Sequence, residues 1–227
     1  MQTAAILLAA GRGTRMRTPT GKAFLQLAGQ PLASYALRTL YHLPSLISVA
    51  LVVAADQEGA AAELLGQTGP PPVPIRITRG GEERQDSVAA GLAVVDPAAD
   101  IVLVHDAARP FVSLACMQAC VAAAAACGAA IAALPATDTV KLVDAETIVR
   151  TIDRQTIWLA QTPQVFRTEV LRQAFAQAQR DGFAATDDAA LVEHLGMPVR
   201  VVRGEAANRK ITTPEDLQWA EWYLRAG

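Results

Sequence analysis

Residues 4–22 decide the fold, because they join an apolar run to a loop of glycines and cations; they read Ala4-Ala-Ile-Leu-Leu-Ala-Ala-Gly11-Arg-Gly13-Thr-Arg15-Met-Arg17-Thr-Pro-Thr-Gly21-Lys22. The run Ala4–Ala10 is long enough for one buried strand. The loop that follows contains three glycines, three arginines and a lysine. Backbone N–H groups and cations together favour phosphate, so we expect an anion site directly after this strand.

The charge distribution supports a small anionic ligand. The chain has 227 residues and a formal net charge of −2, yet its first 55 residues contain no Asp or Glu. The cations of this segment are Arg12, Arg15, Arg17, Lys22 and Arg38. No Lys/Arg-rich tract with interleaved aromatics follows, and aromatic residues make up 5% of the chain. We therefore expect a small anion rather than nucleic acid as the ligand.

Composition also predicts where the protein works. No apolar run reaches the roughly 20 residues that a membrane span needs. The first residues lack the basic start and cleavage site of a signal peptide. Cys116, Cys120 and Cys127 lie in one Ala-rich stretch without a CxxC pair, which favours core residues over disulfides or a zinc site. We expect a cytoplasmic protein without membrane contact.

Strand-like and helical patterns alternate along most of the chain, which predicts an α/β fold with a Rossmann-like, mostly parallel sheet and helices on both faces. The predicted strands are Ala4–Ala10, Ser48–Ala54, Ile75–Thr78, Ile101–His105, Ala129–Leu134 and Val199–Arg203. The predicted helices are Pro31–His42, Gln57–Leu65, Arg84–Val95, Leu114–Cys127, Glu169–Arg180, Asp187–Leu195 and Pro214–Leu224. No linker is visible, so residues 1–227 are taken as one domain.

The segment Asp138–Phe166 breaks this alternation. Two β-patterned pieces, Thr139–Val143 and Ile148–Ile152, flank Asp144-Ala-Glu-Thr and precede Trp158–Phe166. We interpret the segment as a projecting β-hairpin, with the arm at about residues 138–158. An isolated two-stranded hairpin is marginally stable in water, so we expect it to be a dimerisation arm that packs on a second copy of the chain.

Two known phosphate-binding loops do not fit residues 4–22. A dinucleotide fingerprint needs glycine where Met16 stands and an acid about twenty residues later, whereas the first acid is Asp56. This disfavours a nicotinamide-dependent oxidoreductase. A Walker A loop is excluded by Met16 and by Ala23, which follows Gly21-Lys22. What remains is a glycine-rich turn that wraps a triphosphate while Arg15 and Lys22 offset its charge.

Two later stretches can complete such a site. Gly80–Ser87 can present backbone groups and the Ser87 hydroxyl to the edge of a base, although it also fits an ordinary helix entry. His105–Pro110 closes a strand, and ligands of open α/β sheets bind beyond the carboxyl ends of the strands. Asp106 there could bind Mg²⁺ or sugar hydroxyls, or form a local ion pair with Arg109. His105 is interpreted as a packed, hydrogen-bonded histidine.

Two further stretches read first as helix entries. Thr186-Asp-Asp188 fits a helix start, and Arg209-Lys210 fits a surface loop before a helix cap. Taken alone, neither stretch indicates a function.

Together these pieces resemble the 2-C-methyl-D-erythritol 4-phosphate cytidylyltransferase family over essentially the whole chain. The matching motifs are Leu8-Ala-Ala-Gly-x-Gly-x-Arg15-Met16, Gly81-x-x-Arg84-x-x-Ser87-Val88, His105-Asp-Ala-Ala-Arg-Pro110, Thr137-Asp138-Thr139, Asp153-Arg154, Gln161-Thr-Pro-Gln164, Thr186-Asp187 and Lys210-Ile-Thr. The first motif alone marks a broad nucleotidyltransferase class, whereas the set is specific.

The resemblance implies that the acceptor's phosphate attacks the α-phosphate of CTP and expels pyrophosphate, with Mg²⁺ bridging the phosphates and Asp106 as a candidate ligand. Arg15, Lys22 and Lys210 would be catalytic. The implied nucleotide-binding residues are Ala9, Ala10, Gly11, Gly13, Gly81, Glu82, Ser87 and Asp106. The implied acceptor-binding residues are Asp106, Arg109, Thr139, Arg154, Thr162 and Thr186, with Thr139 and Arg154 coming from the partner subunit.

The sequence departs from the family pattern at two places. Gly21 and Ala23 flank Lys22 where proline and glutamine are usual, and Ala207-Asn208 stands where an acid often precedes the late lysine. Two alternatives stay open at this point. One is a related cytidylyltransferase for a polyol phosphate such as ribitol 5-phosphate, and the other is a CTP-binding module without catalysis.

Overall fold

The computed structural model describes residues 1–11 and 21–226. The strands are β1 (Thr3–Leu8), β2 (Gln26–Leu27), β3 (Gln30–Pro31), β4 (Leu46–Val53), β5 (Ile75–Arg79), β6 (Ile101–Asp106), β7 (Ala129–Pro135), β8 (Val140–Asp144), β9 (Thr147–Ile152), β10 (Trp158–Arg167) and β11 (Arg200–Arg203). The helices are α1 (Leu32–Tyr41), α2 (Glu58–Gln67), α3 (Arg84–Val94), α4 (Leu114–Cys127), α5 (Thr168–Asp181), α6 (Asp188–His194) and α7 (Pro214–Ala226).

Seven strands form one sheet in the order β11-β7-β10-β6-β1-β4-β5. All neighbours are parallel except β10, which is antiparallel to both β6 and β7. The predicted α/β class with a mostly parallel sheet is therefore confirmed. Because β1 lies between β6 and β4, residues 9–11 after β1 lie beside the segments that follow both of these strands.

Helices cover both faces of the sheet, as predicted. Ala5 and Leu7 of β1 belong to a core that α1, α2 and α4 complete, whereas Ala4 and Ile6 belong to a core completed by α3, α5 and α6. Successive side chains of a strand point to opposite faces, so a strand buried on both faces must be apolar throughout. None of the described helices is long and apolar enough to cross a bilayer.

Strand β10 corrects one part of the sequence interpretation. The sequence pattern assigns residues 158–166 to the projecting segment, but they lie in the middle of the main sheet. The strand is not recognisable from the sequence pattern, because polar residues interrupt its apolar run and because proline, here Pro163, is rare in central strands. The register against β7 shifts between Ala160 and Gln164, so Gln161, Thr162 and Pro163 bulge out of the ladder.

The hairpin itself is present. Strands β8 and β9 form a separate two-stranded sheet, and nearly all of their residues are exposed. The large apolar side chains that it and the start of β10 expose are Leu142, Val143, Ile148, Val149, Trp158 and Leu159. A hairpin with this much apolar surface in water agrees with the predicted arm, whose partner is considered below.

Candidate active site

A cleft of about 740 Å³ lies at the carboxyl ends of the central strands. Loops after β1, β4 and β5 form its walls, and Asp106 lies at the end of β6. Of the residues singled out in the sequence, the cleft is lined by Ala9, Ala10, Gly11, Lys22, Gly81, Glu82, Ser87, Asp106 and Lys210. The topology therefore brings together the nucleotide-binding stretches that are far apart in the chain.

Asp106 is the acidic centre of this cleft. Its Oδ2 lies 2.7 Å from Lys210 Nζ and 3.9 Å from Arg109 Nε, and its Oδ1 lies 3.4 Å from Arg84 Nε. The residue is 6% exposed. The simple Asp106–Arg109 ion pair considered from the sequence is thus the longest of three contacts, and Lys210 provides the closest cation.

Electrostatics keep Asp106 ionised. Burial alone would raise the pKa of its carboxyl, but Lys210, Arg84 and Arg109 outweigh burial and hold that pKa well below its usual range. Burial would likewise lower the pKa of Arg84, yet the carboxylates of Asp188 and Asp106 raise it. The result is a network of alternating charges with Lys210 at the cleft.

His105 is structural, as the sequence predicted. Its Nε2 lies 3.1 Å from the Arg109 carbonyl, which can only accept, so Nε2 carries the proton. Nδ1 then accepts from the Thr162 hydroxyl at 3.0 Å, and Thr162 Oγ1 accepts from the Asp106 N–H at 3.1 Å. Complete burial lowers the pKa of His105 to about 4, so the imidazole is neutral at pH 7. The β10 bulge thereby fixes Asp106 through Thr162.

The same bulge fixes the loop that carries Lys210. The Gln161 side chain donates to the carbonyl of Glu205 at 3.0 Å and accepts from its N–H at 3.3 Å. Asn208 is fully buried and donates to the Thr162 carbonyl at 2.7 Å. Asn208 therefore has a structural role at the place where the family often has an acid.

Arg209 and Lys210, which are adjacent in the loop before α7, bind different partners. Lys210 binds Asp106, whereas Arg209 Nη2 lies 2.5 Å from Asp216 Oδ1 and its guanidinium lies 5.5 Å from the Trp219 ring centroid. Arg209 is thus bound to helix α7. Of the pair predicted from the sequence, Lys210 is the cation of the cleft.

The loop after β5 packs closely on the loop after β1. A Cβ on Gly80 would lie 2.5 Å from Ser87 Oγ and 2.7 Å from Ala10 Cβ, so only glycine fits there. The buried Ser87 hydroxyl donates to the Glu83 carbonyl at 3.2 Å. The Ala9 N–H donates to the Val52 carbonyl at 2.7 Å, so Ala9 offers a ligand its carbonyl rather than an N–H donor. The family resemblance implies that the backbone amides of Ala9 and Ala10 read the base, and the N–H of Ala9 is not available for this.

Lys22 lies half-buried on the cleft wall at the start of a 3₁₀ turn, Lys22–Phe24. The Phe24 N–H donates to the Gly21 carbonyl at 3.0 Å. A Cβ on Gly21 would collide with the carboxamide of Gln57, which is itself buried. Gly21, which departs from the family pattern, thus leaves room for the Gln57 side chain that packs against it in this chain.

Of the predicted acceptor-binding residues that the structure describes, Asp106 lines the cleft, whereas Arg109 and Thr162 contact Asp106 without lining the cleft themselves. The other three are not brought to the cleft within this chain. Thr139 and Arg154 are exposed on the arm, where Arg154 donates to the Thr137 carbonyl. Thr186 is exposed just before α6. Arg15 and Gly13 lie outside the described residues.

The sequence interpretation assigns no site role to Arg84, Asp188 or Gln164. Arg84 Nη2 lies 2.8 Å from Asp188 Oδ2, and Asp188 is 1% exposed. Gln164 Oε1 accepts from the Asp188 N–H at 2.9 Å. Arg84 and Gln164 do occur in the quoted motifs, which is the available signal, whereas Asp188 looks like part of a helix start.

The chain is similar to one family of known proteins over nearly its whole length. A family model described as 2-C-methyl-D-erythritol 4-phosphate cytidylyltransferase matches residues 3–226. A protein of that name from Pelotomaculum thermopropionicum is 47% identical over 99% of this chain and 95% of its own length. Another, from Caldanaerobacter subterraneus, is 38% identical over 99% of this chain and 100% of its own length.

Solved structures agree in fold. The structure of 2-C-methyl-D-erythritol 4-phosphate cytidylyltransferase from Thermus thermophilus superposes with a TM-score of 0.82 at 37% identity, covering 99% of this chain and all of that one. The 4-diphosphocytidyl-2C-methyl-D-erythritol synthase from Anaerococcus prevotii superposes with a TM-score of 0.87 at 30% identity, covering 99% and 98%. The similarity thus extends over the sheet, the cleft and the arm.

Proposed function

The chain belongs to the 2-C-methyl-D-erythritol 4-phosphate cytidylyltransferase family, and we infer that its cleft is where that reaction takes place. The enzyme transfers a cytidylyl group from CTP to 2-C-methyl-D-erythritol 4-phosphate, giving 4-diphosphocytidyl-2-C-methyl-D-erythritol and pyrophosphate for isoprenoid precursor synthesis. The observation that carries the assignment to this cleft is the Asp106–Lys210 pair that lines it together with Lys22.

The chemistry needs charge stabilisation rather than a general base. The acceptor's phosphate monoester is already anionic near neutral pH. One of its oxygens forms a bond to the α-phosphorus, and the bond from that phosphorus to the β-bridging oxygen breaks, so that pyrophosphate leaves with the electron pair. A mechanism without a general base agrees with the state of His105, because both of its ring nitrogens are already engaged in hydrogen bonds.

We assign Lys22 and Lys210 by their place on the cleft wall, and Arg15 by the family motif alone. Lys22 and Lys210, together with Arg15, would stabilise the negative charge that develops on the α-phosphate. Ala9, Ala10, Gly11, Gly81, Glu82 and Ser87 line the same cleft and would hold the nucleotide, together with Gly13. Arg109, which contacts Asp106 directly, would face the acceptor with Thr186, and the buried Thr162 would contribute to acceptor binding by holding Asp106 in place.

We propose Mg²⁺ as the cofactor, held mainly by CTP. No group of three or more His, Cys, Asp or Glu side chains within residues 1–11 and 21–226 could form a metal site by itself. Asp106 is an ionised carboxylate on the cleft wall, which fits one hard oxygen ligand, and triphosphate oxygens and water would supply the others. The ion would offset charge on the phosphates.

We propose that the enzyme is a homodimer through its arm. The exposed apolar side chains of the hairpin support this, because such a surface favours burial against a partner. Thr139 and Arg154 lie on the arm and do not line the cleft of their own chain. They would therefore hold the acceptor in the partner's cleft.

Two broader assignments are also proposals. We treat residues 1–227 as one nucleotidyltransferase domain with the arm at about 138–158, supported by a single seven-stranded sheet that draws strands from both halves of the chain. We place the enzyme in the cytoplasm, because all three cysteines are free, as in a reducing compartment. Its partners would then be CTP and a sugar-alcohol phosphate, with no nucleic acid or membrane.

A substrate panel tests the function. Pyrophosphate release is measured with each of the four ribonucleoside triphosphates against 2-C-methyl-D-erythritol 4-phosphate and ribitol 5-phosphate. We expect turnover with CTP and the methylerythritol acceptor. Faster turnover with ribitol 5-phosphate would favour the related cytidylyltransferase, and CTP binding without pyrophosphate release from either acceptor would favour the non-catalytic module.

A further inference from the structure

Asp188 is a buried acid outside the wall of the cleft. It begins α6, is 1% exposed, and its Oδ2 accepts from Arg84 Nη2 at 2.8 Å. Its Oδ1 is buried without a hydrogen-bond partner among the described residues. Burial raises the pKa of the Asp188 carboxyl, and the Arg84 guanidinium opposes this rise. A buried carboxylate is costly unless a cation pairs with it, so the Arg84 contact is the interaction through which Asp188 can act.

Arg84 links Asp188 to the centre of the cleft. One end of its guanidinium binds Asp188, and its Nε lies 3.4 Å from Asp106 Oδ1. Arg84 lines the cleft, whereas Asp188 does not. The order Asp188, Arg84, Asp106, Lys210 thus alternates in charge, and the contact of Arg84 with Asp106 is the loose one.

The backbone of Asp188 is fixed by the strand that fixes Asp106. Gln164 Oε1 accepts from the N–H groups of Asp188 and Ala189 at 2.9 and 3.2 Å. Gln164 follows the β10 bulge, whose Thr162 binds the Asp106 N–H. Strand β10 therefore holds the backbones of both acids, Asp106 through Thr162 and Asp188 through Gln164, and Arg84 spans their carboxylates.

We propose that Asp188 is a positioning residue for cytidylyl transfer, acting through Arg84. By holding one end of the guanidinium, Asp188 prevents Arg84 from closing on Asp106 as a bidentate pair. Asp106 Oδ2 is thereby left to orient Lys210 at 2.7 Å. This inference rests on the proposed function, because it concerns the cation assigned to the α-phosphate.

The test is the isosteric Asp188→Asn variant, which keeps the side-chain shape and removes the charge. We expect kcat to fall roughly tenfold while KM for CTP stays within about twofold, on the scale of coupling between contacting residues. In an Arg84→Gln background, Asp188→Asn should cause no further fall in kcat, because Arg84, through which Asp188 acts, is absent. A purely structural role would give an additional loss in that background and would overturn the inference.

Controls keep the test decisive. Asp181→Asn is the control. Asp181 is an exposed acid at the end of α5 whose Oδ2 lies 2.7 Å from Nε2 of His194, at the far end of the helix that Asp188 begins, and its substitution should leave kcat unchanged. If Asp188→Asn does not fold, Asp188→Ser replaces it, because a short hydroxyl cannot hold the end of the Arg84 guanidinium, and the same selective loss of kcat is expected. Unchanged kcat in either variant, with the wild type active, would overturn the inference. Wild-type turnover is measured first, so that a failure of the proposed function is recognised separately.

Discussion

Lys210 Nζ lies 2.7 Å from Asp106 Oδ2, although 104 residues separate them in the chain. The Asn208 and Gln161 hydrogen bonds fix the loop of Lys210, and Thr162 fixes the backbone of Asp106. One bulge in β10 therefore sets the relative position of the acid and the cation. A transfer reaction that relies on charge stabilisation needs such fixed positions.

The orientation of adjacent cations gives a first prediction. Lys210→Met should lower kcat by about 10²–10³-fold, because one preorganised charge at the reacting phosphate is lost. Arg209→Met is the matched control, since Arg209 binds Asp216 and lies over Trp219. Pyrophosphate release should be close to wild type in this control. Equal losses in the two variants would contradict the assignment of Lys210.

The neutral state of His105 predicts an acid-sensitive fold. The folded pKa is about 4 against an ordinary value of 6.5, so the unfolded chain binds a proton first as pH falls. Stability supplied by neutral His105 is complete above pH 6.5 and is lost towards pH 4, by about 3 kcal/mol in total.

Denaturant unfolding of wild type and His105→Gln at pH 7 and pH 4.5 measures this loss. Glutamine does not titrate, so the fall in unfolding free energy between the two pH values should be smaller in the variant by about 2–3 kcal/mol. Carboxylates contribute equally in both proteins. An identical fall in both would show that His105 is not held neutral.

The contact between α3 and the sheet gives a stability prediction. A Cβ on Gly91 would lie 2.6 Å from Ile6 Cγ2 and 3.0 Å from Val52 Cγ2. Gly91→Ala should therefore lower the unfolding free energy by about 1–3 kcal/mol through overpacking. Gly59→Ala in α2 has open space around it and should be neutral or stabilising by up to about 1 kcal/mol. Thermal unfolding of both variants decides the point, and a stable Gly91→Ala would refute this packing.

The proposed exchange of arms predicts complementation between two inactive variants. Lys22→Ala disables a cleft, and Arg154→Ala disables the arm that serves the other cleft. After mixing and exchange of subunits, about half of the dimers should contain one intact site, so activity should return to about a quarter of wild type. Pyrophosphate release before and after mixing measures it. No recovery, although mixed dimers form, would place Arg154 in its own subunit's site.

The sequence predicted the parts of the fold that follow from continuous apolar runs. Strand β1 and its neighbours are recognisable because burial on both faces removes polar residues from the strand. Strand β10 is not, since Gln161, Pro163 and Gln164 interrupt its apolar pattern. Those polar residues are present because they hold the late loop and α6, at positions 44 and 24 residues away in sequence.

The site was predictable residue by residue but not as a network. The acid-free first quarter and Asp106 indicate an anion site without any knowledge of the fold. The Arg84–Asp188 pair spans 104 residues, and nothing local distinguishes Asp188 from an ordinary helix start. Long-range pairs of this kind depend on the strand order of the sheet. That order could not be predicted while β10 was assigned to the projecting segment.

Single-turnover release of pyrophosphate from CTP and 2-C-methyl-D-erythritol 4-phosphate, by wild type and Lys22→Met in parallel, tests the central claim most directly. We predict stoichiometric release by the wild type, and release about 10²–10³-fold slower by the variant with CTP still bound. Wild-type rates in Lys22→Met, or no pyrophosphate from the wild type, would contradict a cytidylyl-transfer site in this cleft.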